Sequence, residues 1–86
     1  MYYVYLIRSQ KDKELYIGSS NDLKKRFKEH NDGLVRSTKS RRPFDLIYYE
    51  AYKSEKDARH REQSLKLRAN ALNQLKRRLT GSLKVD

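Results

Sequence analysis

Five side chains in this sequence have the types needed to act on a phosphate ester: Tyr5, Tyr16, Arg26, His30 and Glu62. Phenol and imidazole groups hold or pass a proton, and a guanidinium presents a forked donor to phosphate oxygens. A carboxylate set among apolar residues needs an ion-pair partner or a cation. Two tripeptides carry the tyrosines, Tyr3-Val4-Tyr5 and Tyr16-Ile17-Gly18, with the polar turn Ser9-Gln10-Lys11-Asp12-Lys13 between them. Antiparallel pairing of the two segments would bring Tyr5 and Tyr16 together just before a basic helix containing Arg26 and His30. Each group also has an ordinary reading. Tyrosine is a good strand residue, Arg26 could lay its stem over apolar surface, and His30 could be a hydrogen-bonded core histidine. Glu62 could be half of a buried ion pair with Arg26 or Arg61.

The elements that must position these groups are legible in outline. Tyr2 to Ile7 is apolar on both sides, with Tyr3, Tyr5 and Ile7 on one face and Val4 and Leu6 on the other, so a strand covered on both faces is expected. Leu15 to Gly18 forms a second short strand of a hairpin. Ser20-Asn21-Asp22 supplies capping oxygens for a helix to about Asn31, and Asn31-Asp32-Gly33 ends it. Residues 34–43 show no sustained periodicity and read as a mobile surface loop closed by Pro43. Phe44 to Tyr52 is the third strand, with Tyr48, Tyr49 and Tyr52 taken as core rings whose hydroxyls reach the surface. Ser54 caps a helix to about Arg68 with Asp57 three residues on. A last helix from about Asn70 to Leu79 gathers Ala71, Leu72, Leu75 and Leu79. The order ββαβαα gives an α+β fold, a small three-stranded antiparallel sheet flanked by helices. One domain over residues 1–80 with a flexible tail at 81–86 follows.

Helical geometry at about 100° per residue separates inward from outward charges. Leu23 and Phe27 define the buried stripe of the first helix, which takes in His30 and has Arg26 on its margin. Lys24, Lys25, Lys28 and Glu29 point away. On the next helix Ala58, Glu62, Leu65 and Ala69 share a face, so Glu62 is expected inward. Tyr5, Tyr16, Gly18, Arg26, His30 and Glu62 are expected to converge on one side of the sheet, with Gly18 marking a close approach.

Composition sets the class of partner. The 86 residues carry 21 Lys and Arg against 11 Asp and Glu, a net charge of +10, which favours a polyanion, nucleic acid above all. The excess is uneven: +2 over residues 1–35 (7 basic, 5 acidic) and +8 over 36–86 (14 basic, 6 acidic). Arg36, Lys39, Arg41 and Arg42 lie in the 34–43 segment without an acid and are expected to contact a nucleic-acid backbone. With no cysteines, the chain has neither disulfides nor a thiol nucleophile nor cysteine-ligated zinc. Without a signal-peptide pattern or an apolar run of about 20 residues, a cytoplasmic location is expected.

Tyr3-Val4-Tyr5, Tyr16-Ile17-Gly18, Arg26, His30 and Glu62, in that order over residues 2 to about 68, resemble the GIY-YIG nuclease superfamily. More narrowly, the chain is similar to its small stand-alone, UvrC-like (UPF0213-type) members. The resemblance implies an endonuclease hydrolysing phosphodiester bonds, of DNA more than RNA, with one divalent metal ion, Mg²⁺ or Mn²⁺. By this likeness Tyr5 and Tyr16 are the motif tyrosines, Arg26 and His30 the catalytic helix residues, and Glu62 the metal ligand. Two positions depart from the pattern. Tyr3 stands where the family name has glycine, and Asn70 and Asn73 both lie where many members carry one late asparagine. Tyr5 is the expected base, with Tyr16 and His30 orienting it and the water, provided that Arg26, other cations and the metal lower its pKa. A catalytically silent nucleic-acid-binding module is the alternative, and a basic protein docking on an acidic one is a third.

Overall fold

A strand apolar on both sides belongs in the middle of a covered sheet, and β1 (Tyr2–Ser9) takes that place in a three-stranded sheet of order β2-β1-β3. β2 (Leu15–Ser20) and β3 (Phe44–Tyr52) both run antiparallel to it. The computed structural model describes residues 1–84; Val85 and Asp86, within the segment expected as a tail, lie outside the described residues. α1 (Leu23–Asn31) covers one face of the sheet, while α2 (Glu55–Leu67) and α3 (Ala69–Arg78) cover the other. Among the described residues no helix is long and apolar enough to cross a membrane.

The alternation of β1 divides the core in two. Val4 and Leu6 pack with Ile17, Ala58, Leu65, Leu75 and Leu79, while Tyr5 and Ile7 pack with Phe44, Leu23 and Phe27. A bulge between Leu6 and Ile7 in the β1–β3 register allows Ile47 and Tyr48 both to join the larger core. The helix starts are capped as their sequences require. The Asp22 side chain accepts from the Lys25 amide at 3.1 Å and Ser54 from the Asp57 amide at 3.3 Å.

Three expectations are corrected. Residues 34–43 are ordered, because Val35 and Thr38 are buried and Lys39–Arg41 forms a 3-10 turn. Two buried residues three apart are too short a pattern to stand out among four cations. The tyrosines of β3 do not all send their hydroxyls to solvent: those of Tyr48 and Tyr52 donate to Glu50, whereas Tyr49 is half exposed against the edge of Tyr3. Residues 81–84 are tied to the body, since Leu83 packs against the larger core and its carbonyl accepts from Arg8 at 2.7 Å.

Glu50 is the polar lock between sheet and helix. Arg61 of α2 grips its carboxylate with Nε at 2.9 and 3.2 Å and Nη2 at 3.0 Å. Burial raises the Glu50 pKa, but the Arg61 fork and the two phenols outweigh it and hold the carboxyl below its ordinary range. Glu50→Ala should cost about 1–3 kcal/mol, less than the 3–5 kcal/mol of a fully buried pair, by leaving Arg61 without its acceptor. Glu55→Ala, which breaks an exposed pair with Arg59 and removes one acid from the first turn of α2, should cost less than about 1 kcal/mol. Urea denaturation of both variants checks this, and equal losses would mean that Glu50 contributes no more than a surface charge.

Candidate active site

Tyr5 is the pivot of the smaller core. Its residue is 2% exposed, and its ring lies across Gly18, its register partner on β2. A Cβ at Gly18 would sit 2.3 Å from the Tyr5 hydroxyl oxygen and 2.5 Å from ring Cζ. The close approach expected at this glycine is therefore made by Tyr5 itself.

A buried phenol needs a partner, and the Tyr5 hydroxyl has His30 Nε2 at 2.8 Å. His30 is fully buried on α1, with the rings of Tyr16, Tyr5 and Phe44 set edge-on around it at centroid distances of 5.2, 5.6 and 5.9 Å. Its other nitrogen, Nδ1, lies 2.8 Å from Thr38 Oγ1, and the Thr38 hydroxyl donates to the Val35 carbonyl at 3.4 Å. A hydroxyl has one proton. With that proton directed to Val35, Thr38 accepts from Nδ1–H and leaves Nε2 to accept from Tyr5. Thr38 is the neighbour of this pair that the sequence reading missed, and its only signal was the spacing from Val35.

Electrostatics separates the two ring systems. Burial raises the Tyr5 pKa to about 12, more than the neighbouring Arg26 lowers it. Arg26 by itself does not bring this phenol toward neutrality: desolvation outweighs it. Burial and the Arg26 charge push His30 down to about 4. At neutral pH the pair is a protonated phenol donating to a neutral imidazole. On Arg26 burial opposes the charge, but Tyr5 and Glu29 hold the pKa above its usual value, and Glu29 Oε1 lies 3.4 Å from its Nη1.

Glu62 does not share this face. Its neighbours Ala58 and Leu65 pack with Val4 and Leu6, so α2 brings the carboxylate from the opposite layer, where it meets β2. The convergence of all five groups on one side of the sheet is corrected accordingly. Oε1 accepts from Ser19 Oγ at 2.7 Å and Oε2 from Lys66 Nζ at 2.9 Å; the ion-pair partners are neither Arg26 nor Arg61. The Glu62 charge still contributes to the rise of the Tyr5 pKa, so the two layers are electrostatically joined. A cleft of ≈ 650 Å³ opens beside Ser19, with Arg26 and Lys25 on one wall and Arg59 on the other. Asn70 and Asn73 are exposed on α3.

Arg36, Lys39, Arg41 and Arg42 lie apart from this cluster, beside the β1–β2 turn, and they are not equivalent. Arg41 is held by Asp12 at 2.8 Å and stands over the Phe44 ring. Arg36, Lys39 and Arg42 line a separate basic recess with Lys11.

A small α+β domain with two strand tyrosines facing a helix that carries Arg26 and His30 defines the class. The family model described as the GIY-YIG catalytic domain matches residues 1–78, and the chain belongs to the GIY-YIG family, whose members are generally nucleases. It is 40% identical over 67 residues to a UPF0213 protein of Clostridium perfringens, covering 77% of this chain and 71% of that one. It is 39% identical over 66 residues to the UPF0213 protein YazA of Bacillus subtilis, covering 76% and 66%. A UPF0213 protein from Bacillus halodurans, solved by solution NMR, superposes with a TM-score of 0.55 at 32% identity, covering 87% of this chain and 82% of that one.

Two outcomes follow from the enclosed pair. His30 should stay neutral until the pH falls to about 4. Because the unfolded imidazole takes its proton near 6.5, the associated stability is present above that pH and lost as the pH falls through 4. Imidazole ¹⁵N shifts followed from pH 8 to 3.5 check this, and a His30 midpoint above 6 would show an open ring. Gly18→Ala should push the Tyr5 ring off His30 and cost about 1–3 kcal/mol as an overpacked core does. Denaturation and the same titration test it: unchanged stability with an unchanged His30 midpoint would mean that the added methyl group is accommodated without moving Tyr5.

Proposed function

We propose that this protein is an endonuclease that hydrolyses phosphodiester bonds of DNA with one divalent ion, Mg²⁺ or Mn²⁺, held by Glu62. The observation that carries the reading is the 2.8 Å contact between the Tyr5 hydroxyl and His30 Nε2, with the Arg26 guanidinium beside it. Arg26 is placed to bind a non-bridging oxygen of the scissile phosphate and to offset the charge that grows there in the transition state.

The raised Tyr5 pKa argues for a relay. A phenol at about 12 is no resting base at neutral pH, and His30, held at about 4, is a weak acceptor. The relay, in which Tyr5 takes a proton from water as its own passes to His30 Nε2, therefore requires the negative charge of the bound phosphate to stabilise the imidazolium. Thr38 holds His30 in the tautomer that this transfer requires. Tyr16, edge-on to the same imidazole at 5.2 Å, borders the relay.

The carboxylate set suits a cation that keeps its waters. Among the described residues no three His, Cys, Asp or Glu side chains gather into a metal cluster, whereas Mg²⁺ commonly uses one or two carboxylates together with substrate phosphates. Glu62 has its side chain 17% exposed, and its pair with the half-exposed Lys66 is a surface contact worth about 0–1 kcal/mol, which a cation can displace. When bound, the ion supplies Lewis-acid polarisation of a phosphoryl oxygen. The same Lys66 contact, which occupies Glu62, favours a second reading as a nucleic-acid-binding module without catalysis.

Cleavage assays separate the two. Wild-type protein with Mg²⁺ or Mn²⁺ should nick branched, flapped, single-stranded or duplex DNA and lose activity in excess EDTA, with RNA as the comparison. Glu62→Gln should abolish metal-dependent cleavage. Arg26→Ala should lose about a hundredfold or more, whereas Lys24→Ala should change little. Tyr5→Phe should slow single-turnover cleavage while leaving binding intact. Undiminished cleavage in EDTA or in Glu62→Gln would remove the metal assignment, and binding without cleavage on every substrate would establish the second reading.

A further inference from the structure

The β1–β2 turn and the 34–42 segment enclose a recess of ≈ 510 Å³ whose walls are Lys11, Arg36, Lys39, Ser40 and Arg42. Four of these five residues are cationic, and no acid lines the recess. The nearest acid of the turn, Asp12, is engaged by Arg41, with Nε at 2.8 Å and Nη2 at 3.4 Å. That contact lowers the Asp12 pKa to about 2, so the carboxylate stays charged and paired.

The walls are built. Ser9, fully buried at the end of β1, donates to the Arg41 carbonyl and accepts from the amides of Lys11 and Asp12 at 3.1 and 3.2 Å, joining the two segments. Lys11 Nζ reaches the Ser40 carbonyl at 3.3 Å. Val35 and Thr38 anchor the second segment from below. Arg42 lies against Gly33, where a Cβ would stand 2.5 Å from its Nη1 and where φ is +77°, so a side chain there would both strain the backbone and displace the guanidinium. Like charges gathered without an acid repel one another, and holding them there costs stability that an anion would return.

We propose that this recess is a preformed binding site for a backbone phosphate, separate from the cleft beside Arg26. The occupant is a phosphodiester of the nucleic acid, which rests on the reading that the protein acts on that polymer. The recess adjoins Gly33, just past the C-terminal end of α1, whereas the cleft beside Arg26 opens toward the start of that helix at Asn21 and Asp22. A nucleic acid held at both ends of α1 would be fixed in register against Tyr5 and His30. Lys11 belongs to the set and Arg41, spent on Asp12, does not.

Two measurements on the full chain test this. Amide NMR titration with inorganic phosphate should shift Lys11 and residues 36–42. Shifts confined to Asn21, Lys25 and Arg26 would overturn the recess while leaving the nuclease reading standing; shifts at the recess in a protein that cleaves nothing would leave the recess standing without that reading. Duplex DNA affinity, measured in EDTA across salt concentrations, gives the second test. Lys11→Gln should lower the log–log salt slope by about 1, and neutralising Lys11, Arg36, Lys39 and Arg42 together should lower it by about 3 to 4. Affinity should fall by the same factor on unrelated sequences. Lys56→Gln, at an exposed position of α2 outside the recess, should leave the slope unchanged. Superimposable slopes for wild type and the fourfold variant, or a larger loss from Lys56→Gln than from Lys11→Gln, would overturn the proposal.

Discussion

The arrangement depends on one buried hydroxyl. Tyr5 lies on the central strand and is 2% exposed, so the fold must supply its hydroxyl with a partner or lose stability. It supplies His30, and the imidazole then needs a partner for its second nitrogen. Thr38 provides it, and Thr38 must be buried to do so. A single polar atom on β1 thereby dictates that α1 close over the sheet at His30 and that the chain after α1 fold back onto it. The Asn31 side chain reinforces that closure by bonding both backbone groups of Phe44, the amide at 2.6 Å and the carbonyl at 3.2 Å. The same oxygen also forbids a side chain at Gly18. Stability and the proposed chemistry share these contacts, because the bonds that satisfy Tyr5 are also those of the proposed relay.

The elements most legible in the sequence were those with a two-sided or periodic pattern. Tyr2 to Ile7 announced a central strand through apolar residues at every position, and Asp22 and Ser54 announced helix starts through their capping oxygens. His30 was legible because it falls on the stripe of Leu23 and Phe27. The 34–43 segment was not. Its order comes from single anchors contributed by distant residues, Ser9 under Arg41 and His30 under Thr38, and no local period records a contact between residues 32 apart. Glu62 was placed inward correctly but in the wrong layer. Helical phase identifies the buried side of α2 without saying which face of the sheet α2 covers.

Charge was legible only as a sum. A balance of +10 points to a polyanion, but the structure sorts the cations by whether an acid already holds them. Arg26, Lys28, Arg41, Arg59, Arg61 and Lys66 all stand in ion pairs. Arg61 is spent on holding α2 to β3, and Arg41 on closing the 34–43 segment onto the β1–β2 turn. Such pairs are short-range and resist screening in proportion to their burial. The long-range field that draws in a polyanion comes from cations that remain free, so counting basic residues overstates the surface available to a phosphate chain.

The edge strand β2 makes a two-layer site possible. Successive residues of a strand point to opposite faces. Gly18 therefore meets the Tyr5 ring on the α1 side, while Ser19 meets the Glu62 carboxylate on the α2 side. A central strand would separate the two groups by its neighbours. At an edge only one backbone lies between them, and the charge of Glu62 is felt at Tyr5. This geometry makes the rotation of α2 critical, since Glu62 reaches Ser19 only if the helix presents that side to β2. Arg61, the preceding residue, is clamped to Glu50 on β3. The helix is thus held from both edges of the sheet by adjacent side chains, one in a forked ion pair and the other aimed at the site. An ion pair that looks purely structural thereby helps to set the position of the carboxylate proposed to hold the cation.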